Sequence, residues 1–193
     1  MLRWLTQRAD NSRKAEELYG SVVTAARQPA FYENLGVPDT PEGRFELVAL
    51  HLFLALEGLR SKGTAADGLV RRTIEAFVID MDDCMREMGV GDLTVPKKVK
   101  RAAAAFYERA ASYRRALTEA GSPERGWPDL SQTLRGYVYG GSADREDAAA
   151  ALAVYMQAAS TALSNHAFEV FVNDGVASRL LASATAKRKV STT

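Results

Sequence analysis

Between Leu47 and Leu56 ten successive residues carry no charge, and His51 is the only polar side chain among them. Such a run has to be buried, yet it is too short to span a bilayer, which takes about 20 apolar residues. It is bracketed by Thr40-Pro41 on one side and Gly63 on the other. Threonine or the preceding Asp39 suits a helix N-cap, proline the first helical position and glycine the stop. The segment therefore predicts a long apolar central helix, and the rest of the chain must supply partners that cover it on all sides. Those partners are helical too. Alanine occurs 32 times and isoleucine only twice, at Ile74 and Ile79, a bias toward helix over sheet. Apolar positions recur at three and four, and no stretch alternates with a period of two.

A first helix is expected from about Ser12 to Gln28, capped by Asn11 or Ser12, with Ala15, Leu18, Val22, Ala25 and Ala26 on its buried face. Phe31-Tyr32 falls on a short helical turn behind Pro29. The helix after Gly63 spans about Asp67 to Met88, with the stripe Val70, Ile74, Phe77, Met81, Cys84/Met85 and Met88, and Gly89 fits the left-handed position beyond it. Thr94 and Pro96 open the next helix, whose stripe is Val99, Ala103, Phe106, Ala110, Tyr113 and Leu117, closed by Gly121 before a surface loop over 122–126. Pro128 to Tyr139, stopped by Gly140-Gly141, and Ser142 or Asp144 to about Asn165 complete the pattern. The expected fold is all-α: a single-domain bundle of about six to eight helices over 12–183, with a flexible N-terminal segment 1–11 and a disordered basic tail 184–193.

Composition excludes several classes of function. A lone cysteine, Cys84, allows no internal disulfide and no multi-cysteine metal site, and His51 and His166 are too few for a three-histidine site. Asp80-Met-Asp82 begins like a calcium loop, but Cys84, Met85 and Gly91 stand where a ligand, the turn glycine and the bidentate glutamate belong. There is no phosphate-binding glycine loop, nucleophile elbow or nucleophile–base pair. No enzyme, cofactor or metal is expected. His51, inside the apolar run, reads first as a hydrogen-bonded core histidine; the alternative to a binding protein is a haem- or metal-handling helical protein using His51 or His166. The uncharged stretch Ala148 to Phe168 is long enough to suggest a span, but Gln157, Ser160, Thr161, Ser164, Asn165 and His166 assign it to a bundle helix. With no secretory h-region at the start, the expected location is cytoplasmic.

The net charge of +1 conceals a polar molecule. Residues 33–92 hold 12 acids and 6 bases, whereas 97–115 hold 7 bases and one acid, Glu108. Either these are solvated faces of helices that attract each other, or the basic stretch is a docking surface for ribosomal RNA, an acidic protein or lipid head groups. The Met81, Met85, Met88 stripe is either core or an adaptable apolar groove. Between them lies a two-glycine turn that sets acids at one helix C-terminus and lysines at the next N-terminus, against both helix dipoles. At the start of the chain Leu2, Trp4 and Leu5 stand beside Arg3 and Arg8, a pattern suited to weak peripheral contact with an anionic membrane.

Leu18-Tyr19, Phe31-Tyr32, Leu35-Gly-Val-Pro-Asp-Thr-Pro-Glu-Gly-Arg-Phe-Glu-Leu47, His51-Leu52, Asp80-Met-Asp82 and Arg86-Glu-Met-Gly-Val-Gly-Asp-Leu-Thr-Val-Pro-Lys-Lys98 together resemble the ubiquinol–cytochrome c chaperone family. The resemblance covers roughly Ala15 to Leu117 and extends more weakly to about Leu180. It implies a non-enzymatic assembly factor for the respiratory cytochrome bc1 complex (complex III) whose client is newly made cytochrome b. Mitochondrial members act near the ribosomal exit tunnel with a small partner protein; this chain resembles a bacterial member, for which the ribosome and the small partner stay open. Carried onto the motif, the candidate client or partner surface is Arg44, Phe45, His51, Asp80, Met81, Asp82, Met85, Arg86, Met88, Gly89, Gly91, Asp92, Lys97 and Lys98. Arg44 is a candidate for a structural ion pair with Asp80 or Asp82.

Overall fold

The computed structural model describes residues 2–119 and 126–165, with side chains over 10–118 and 130–163. Seven α-helices run through the described residues: α1 (Leu2–Ala26), α2 (Pro29–Glu33), α3 (Pro41–Arg60), α4 (Asp67–Glu87), α5 (Val95–Glu119), α6 (Gly126–Val138) and α7 (Glu146–Asn165). Single 3-10 turns, Thr64–Ala66 and Ala143–Arg145, lead into α4 and α7. No strand occurs among the described residues, and the all-helical expectation is met.

Helix α3 is in contact with α1, α4, α5, α6 and α7, and these five touch one another in the order α1–α4–α5–α6–α7. Every residue from Glu46 to Leu56 is buried. The helix starts where the sequence signals put it: Thr40 Oγ1 accepts the Gly43 N–H at 3.2 Å, with Pro41 at the first helical position. The expected long apolar central helix is corrected at its polar positions. Glu46, 6% exposed, and His51, 0% exposed, sit on its buried face, and each has partners from another helix. Glu46 receives Arg109 of α5 in a bidentate pair at 2.5 and 2.6 Å, and the guanidinium lies 4.6 Å from the Tyr137 ring centre and 5.4 Å from that of Phe45. A buried carboxylate so clamped keeps its charge compensated where water cannot reach it.

The first helix begins at Leu2 rather than near Ser12. Asp10 pairs with Arg13 at 3.2 Å and Lys14 at 2.7 Å, and these i,i+3 and i,i+4 contacts carry the helix through the expected cap. The bundle is tied elsewhere by Tyr19 of α1, whose hydroxyl donates to Asp80 of α4 at 2.7 Å, and by Glu57 of α3 with Arg114 of α5 at 2.7 Å. Of the loop expected over 122–126, Gly126 already belongs to α6, which starts there rather than at Pro128, and residues 122–125 lie outside the described residues, as do His166 and the tail from 184.

Candidate functional site

Helices α4 and α5 form an antiparallel hairpin. Phe77 and Phe106, both buried, face each other across it with ring centres 5.5 Å apart. At its tip α4 ends in two hydrogen bonds, Val90 N–H to Met85 O at 3.1 Å and Gly89 N–H to Arg86 O at 2.9 Å. That pair is a Schellman closure, and it places Gly89 at φ 76°, in the left-handed region as its position predicts. A second turn follows, closed by Thr94 N–H to Gly91 O at 2.7 Å, and Val95, fully buried, pins the start of α5.

The candidate residues fall into three groups. Arg86, Asp82 and Asp92 form a local network: Arg86 Nε donates to Asp82 at 2.6 Å, and Nη1 donates to Asp92. This network fastens the tip turn to the last turn of α4. Met88, Gly89, Gly91, Lys97 and Lys98 are exposed around the same tip, while Met81 and Met85 are half-buried below it. Asp80 and Phe45 face the bundle instead. Asp80 accepts the Tyr19 hydroxyl, and burial together with this carboxylate pushes the phenol pKa well above its usual value.

The pairing expected for Arg44 is corrected, and His51 leaves the candidate surface for the core, as its place in the apolar run predicts. Arg44 does not reach Asp80 or Asp82; its Nε donates to Asp39 at 2.7 Å, five residues back on the loop before α3. His51 is not on any surface. Its Nδ1 lies 2.7 Å from Leu47 O and its Nε2 lies 2.8 Å from the Tyr155 hydroxyl. The carbonyl can only accept, so Nδ1 carries the proton and Nε2 accepts from Tyr155. Burial holds the ring pKa down at about 4. A neutral, hydrogen-bonded core histidine is available neither to a client nor to haem or metal. Among the described residues no group of three or more His, Cys, Asp or Glu is placed to hold a metal ion. The half-buried Cys84 thiol is pushed up in pKa by desolvation and by Asp80 and Glu87, which leaves it a poor nucleophile.

The structure adds three residues to the hairpin surface. The exposed large hydrophobic side chains among the described residues are Ile79 at 62%, Met88 at 58%, Leu93 at 100% and Tyr107 at 52%, and all four lie on the α4–α5 hairpin. Ile79 and Tyr107 fall off the buried stripes of their helices, which is a signal present in the sequence. Leu93 is signalled only by the turn it occupies. The charges separate as well. The outward face of α4 carries Glu75, Asp83 and Glu87, and the start of α5 carries Lys97, Lys98, Lys100 and Arg101, all exposed. Among the described residues no ion pair joins α4 to α5; the arginines of α5 that are paired, Arg109 and Arg114, bind α3. The four cations at the start of α5 are in no ion pair with a described residue. Side chains of Leu2, Trp4 and Leu5 lie outside the described set.

Among the described residues the large exposed apolar side chains thus gather on one charged hairpin. Residues 33–178 match the family described as Ubiquinol-cytochrome C chaperone, and the chain belongs to that family. A solved structure described as the crystal structure of the Cbp3 homolog from Brucella abortus is similar over 88% of this chain and 92% of its own length, with 31% identity and a TM-score of 0.72. No curated protein matches.

Proposed function

We propose that this chain is a non-enzymatic assembly chaperone that binds newly made cytochrome b during biogenesis of the cytochrome bc1 complex. The observation that carries the proposal is the family match across 33–178, which takes in the whole α4–α5 hairpin and nearly all the candidate residues. The hairpin supports it: exposed apolar side chains at the tip, adaptable methionines beneath, and a turn held in one shape by Arg86 suit a holder of apolar segments. The client is a multi-span membrane protein, so the chaperone works as a peripheral protein on the inner face of the cytoplasmic membrane. None of the described helices is long and apolar enough to cross a membrane itself.

A deletion strain tests the assembly role. Assembled bc1 complex falls while the other respiratory complexes hold their levels, and the full chain captured from a wild-type strain brings cytochrome b with it. Normal bc1 levels in the deletion strain would remove the proposal.

A further inference from the structure

We propose that the α4–α5 hairpin docks on an anionic bilayer, with Leu93 and Met88 inserted at the tip and the basic face of α5 laid along the head groups. The inference rests on the peripheral chaperone role and assigns the surface that meets the membrane. The buried positions of α5, Val95, Phe106, Ala110, Tyr113 and Ala116, leave one outward face. That face bears Lys97, Lys100, Arg101, Tyr107 and Arg115, all exposed, with Glu108 its one acid. From Lys97 to Arg115 it measures about 27 Å at 1.5 Å per residue.

The phosphates of a lipid surface and of RNA would both satisfy such a row of cations. The apolar tip distinguishes them. Leu93 has no shelter from water, and Met88, 58% exposed, caps α4 just before its turn. Inserted side chains gain free energy from a hydrocarbon boundary and nothing from a phosphate backbone. Tyr107 is of the kind enriched at membrane interfaces. Apolar insertion and cationic attraction are each weak and reversible alone, and the hairpin supplies both. The acids sit where they orient the docked state. Asp82 and Asp92 are engaged by Arg86, and Asp83 and Glu87 lie on the outward row of α4 with Glu75 and Ile79, so repulsion turns α4 away from the surface and α5 toward it.

The test is sedimentation of the full chain with vesicles of phosphatidylcholine alone and of phosphatidylcholine with phosphatidylglycerol, at low and high salt. The expected result is binding to the anionic vesicles only, released by salt. Lys97→Glu/Lys100→Glu/Arg101→Glu lowers the partition coefficient on the order of a hundredfold, and Leu93→Ser lowers it roughly tenfold. Arg71→Glu, a single charge reversal of the same kind on the outward row of α4, changes it by less than about twofold. All these side chains are exposed, and circular dichroism checks that each variant stays folded. Equal binding to neutral vesicles, an unaffected triple variant or an equal loss with Arg71→Glu would overturn the proposal. So would binding abolished by deleting residues 1–7 while the hairpin variants still bind, which would place the anchor at Leu2, Trp4 and Leu5. A chain that ignores vesicles but retards an RNA duplex would reassign the basic face to nucleic acid. No client is present in this assay, so its failure leaves the assembly role standing, whereas normal bc1 levels in the deletion strain remove that role whatever the vesicles show.

Discussion

Tyr113 and Tyr155 are both buried phenols, 0% and 1% exposed, but they differ in what their hydroxyls meet. The Tyr155 hydroxyl serves His51, whereas that of Tyr113 has no hydrogen-bond partner among the described residues. Removing a satisfied buried hydroxyl strands its partner, at a cost of about 1–2 kcal/mol; removing an unsatisfied one relieves a desolvation penalty. Urea denaturation should therefore find Tyr155→Phe destabilised by that amount and Tyr113→Phe no less stable than the parent. The reverse order would mean that the Tyr113 hydroxyl is hydrogen-bonded in solution. Gly43 gives a second contrast of sign. In the first turn of α3, helix propensity alone makes alanine better by about 1 kcal/mol. A Cβ there, however, would lie 2.0 Å from the Pro38 carbonyl oxygen, so the loop before α3 must move. Gly43→Ala is expected to lose about 2 kcal/mol or more, measured by the same denaturation; a gain would show that the Pro38 loop yields freely.

At the scale of elements, the α4–α5 tip is the best test of what local sequence encodes. Gly89 at φ 76° in a Schellman closure has no good substitute. Space is not the obstacle, since no atom lies within 4 Å of a Cβ built there. Backbone strain is, and a β-branched side chain suffers it most. Gly89→Val should lower stability by more than about 1 kcal/mol in thermal unfolding followed by circular dichroism; an unchanged melting temperature would mean the turn is built differently. The ends of α3, α4 and the start of α5 were legible because Thr40, Pro41, Gly89 and Thr94 act through contacts within a few residues. The start of α1 was not. Asn11 and Ser12 look like caps, but a cap residue stops a helix only if its own backbone leaves it, and Asn11 instead lies half-buried against Gly68 of α4. Arg44 misled for the opposite reason. The expected partners lie on α4, whereas the acid that pairs with it, Asp39, is five residues away in the sequence.

For the whole molecule, the burial of α3 followed from its uncharged run, and with it a hydrogen-bonded core His51, but the role of Glu46 did not. Glu46 looked like one acid of a negative region until Arg109, 63 residues on, closed over it. The candidate surface divided in the same way. Motif residues at the tip are exposed and grouped, and His51, equally part of the motif, is core, because exposure is settled by which helices pack together. That burial makes global stability depend on pH. The unfolded histidine has the ordinary value of 6.5, and the folded ring is held at about 4. Between these values the unfolded chain binds a proton that the native chain refuses, so stability is complete above pH 6.5 and declines as pH falls toward 4. The limiting slope is about 1.4 kcal/mol per pH unit, or about 2 kcal/mol between pH 7 and 5. Asp10, Asp39 and Asp144, and the half-buried Glu57, have lowered pKa values and act in the same direction, but below their ordinary carboxylate values and outside that interval. Glu46 acts the other way: burial raises its pKa above the ordinary 4.5, so the folded chain takes up its proton first as pH falls, which offsets part of the His51 loss toward pH 5. Denaturation at pH 7 and pH 5 should show this loss in the parent chain. In His51→Gln, which retains one donor and one acceptor but cannot titrate, the difference between the two pH values should largely disappear even if the variant starts out less stable. Equal losses in both proteins would place the titration elsewhere and would mean that the His51 ring is not held neutral by burial.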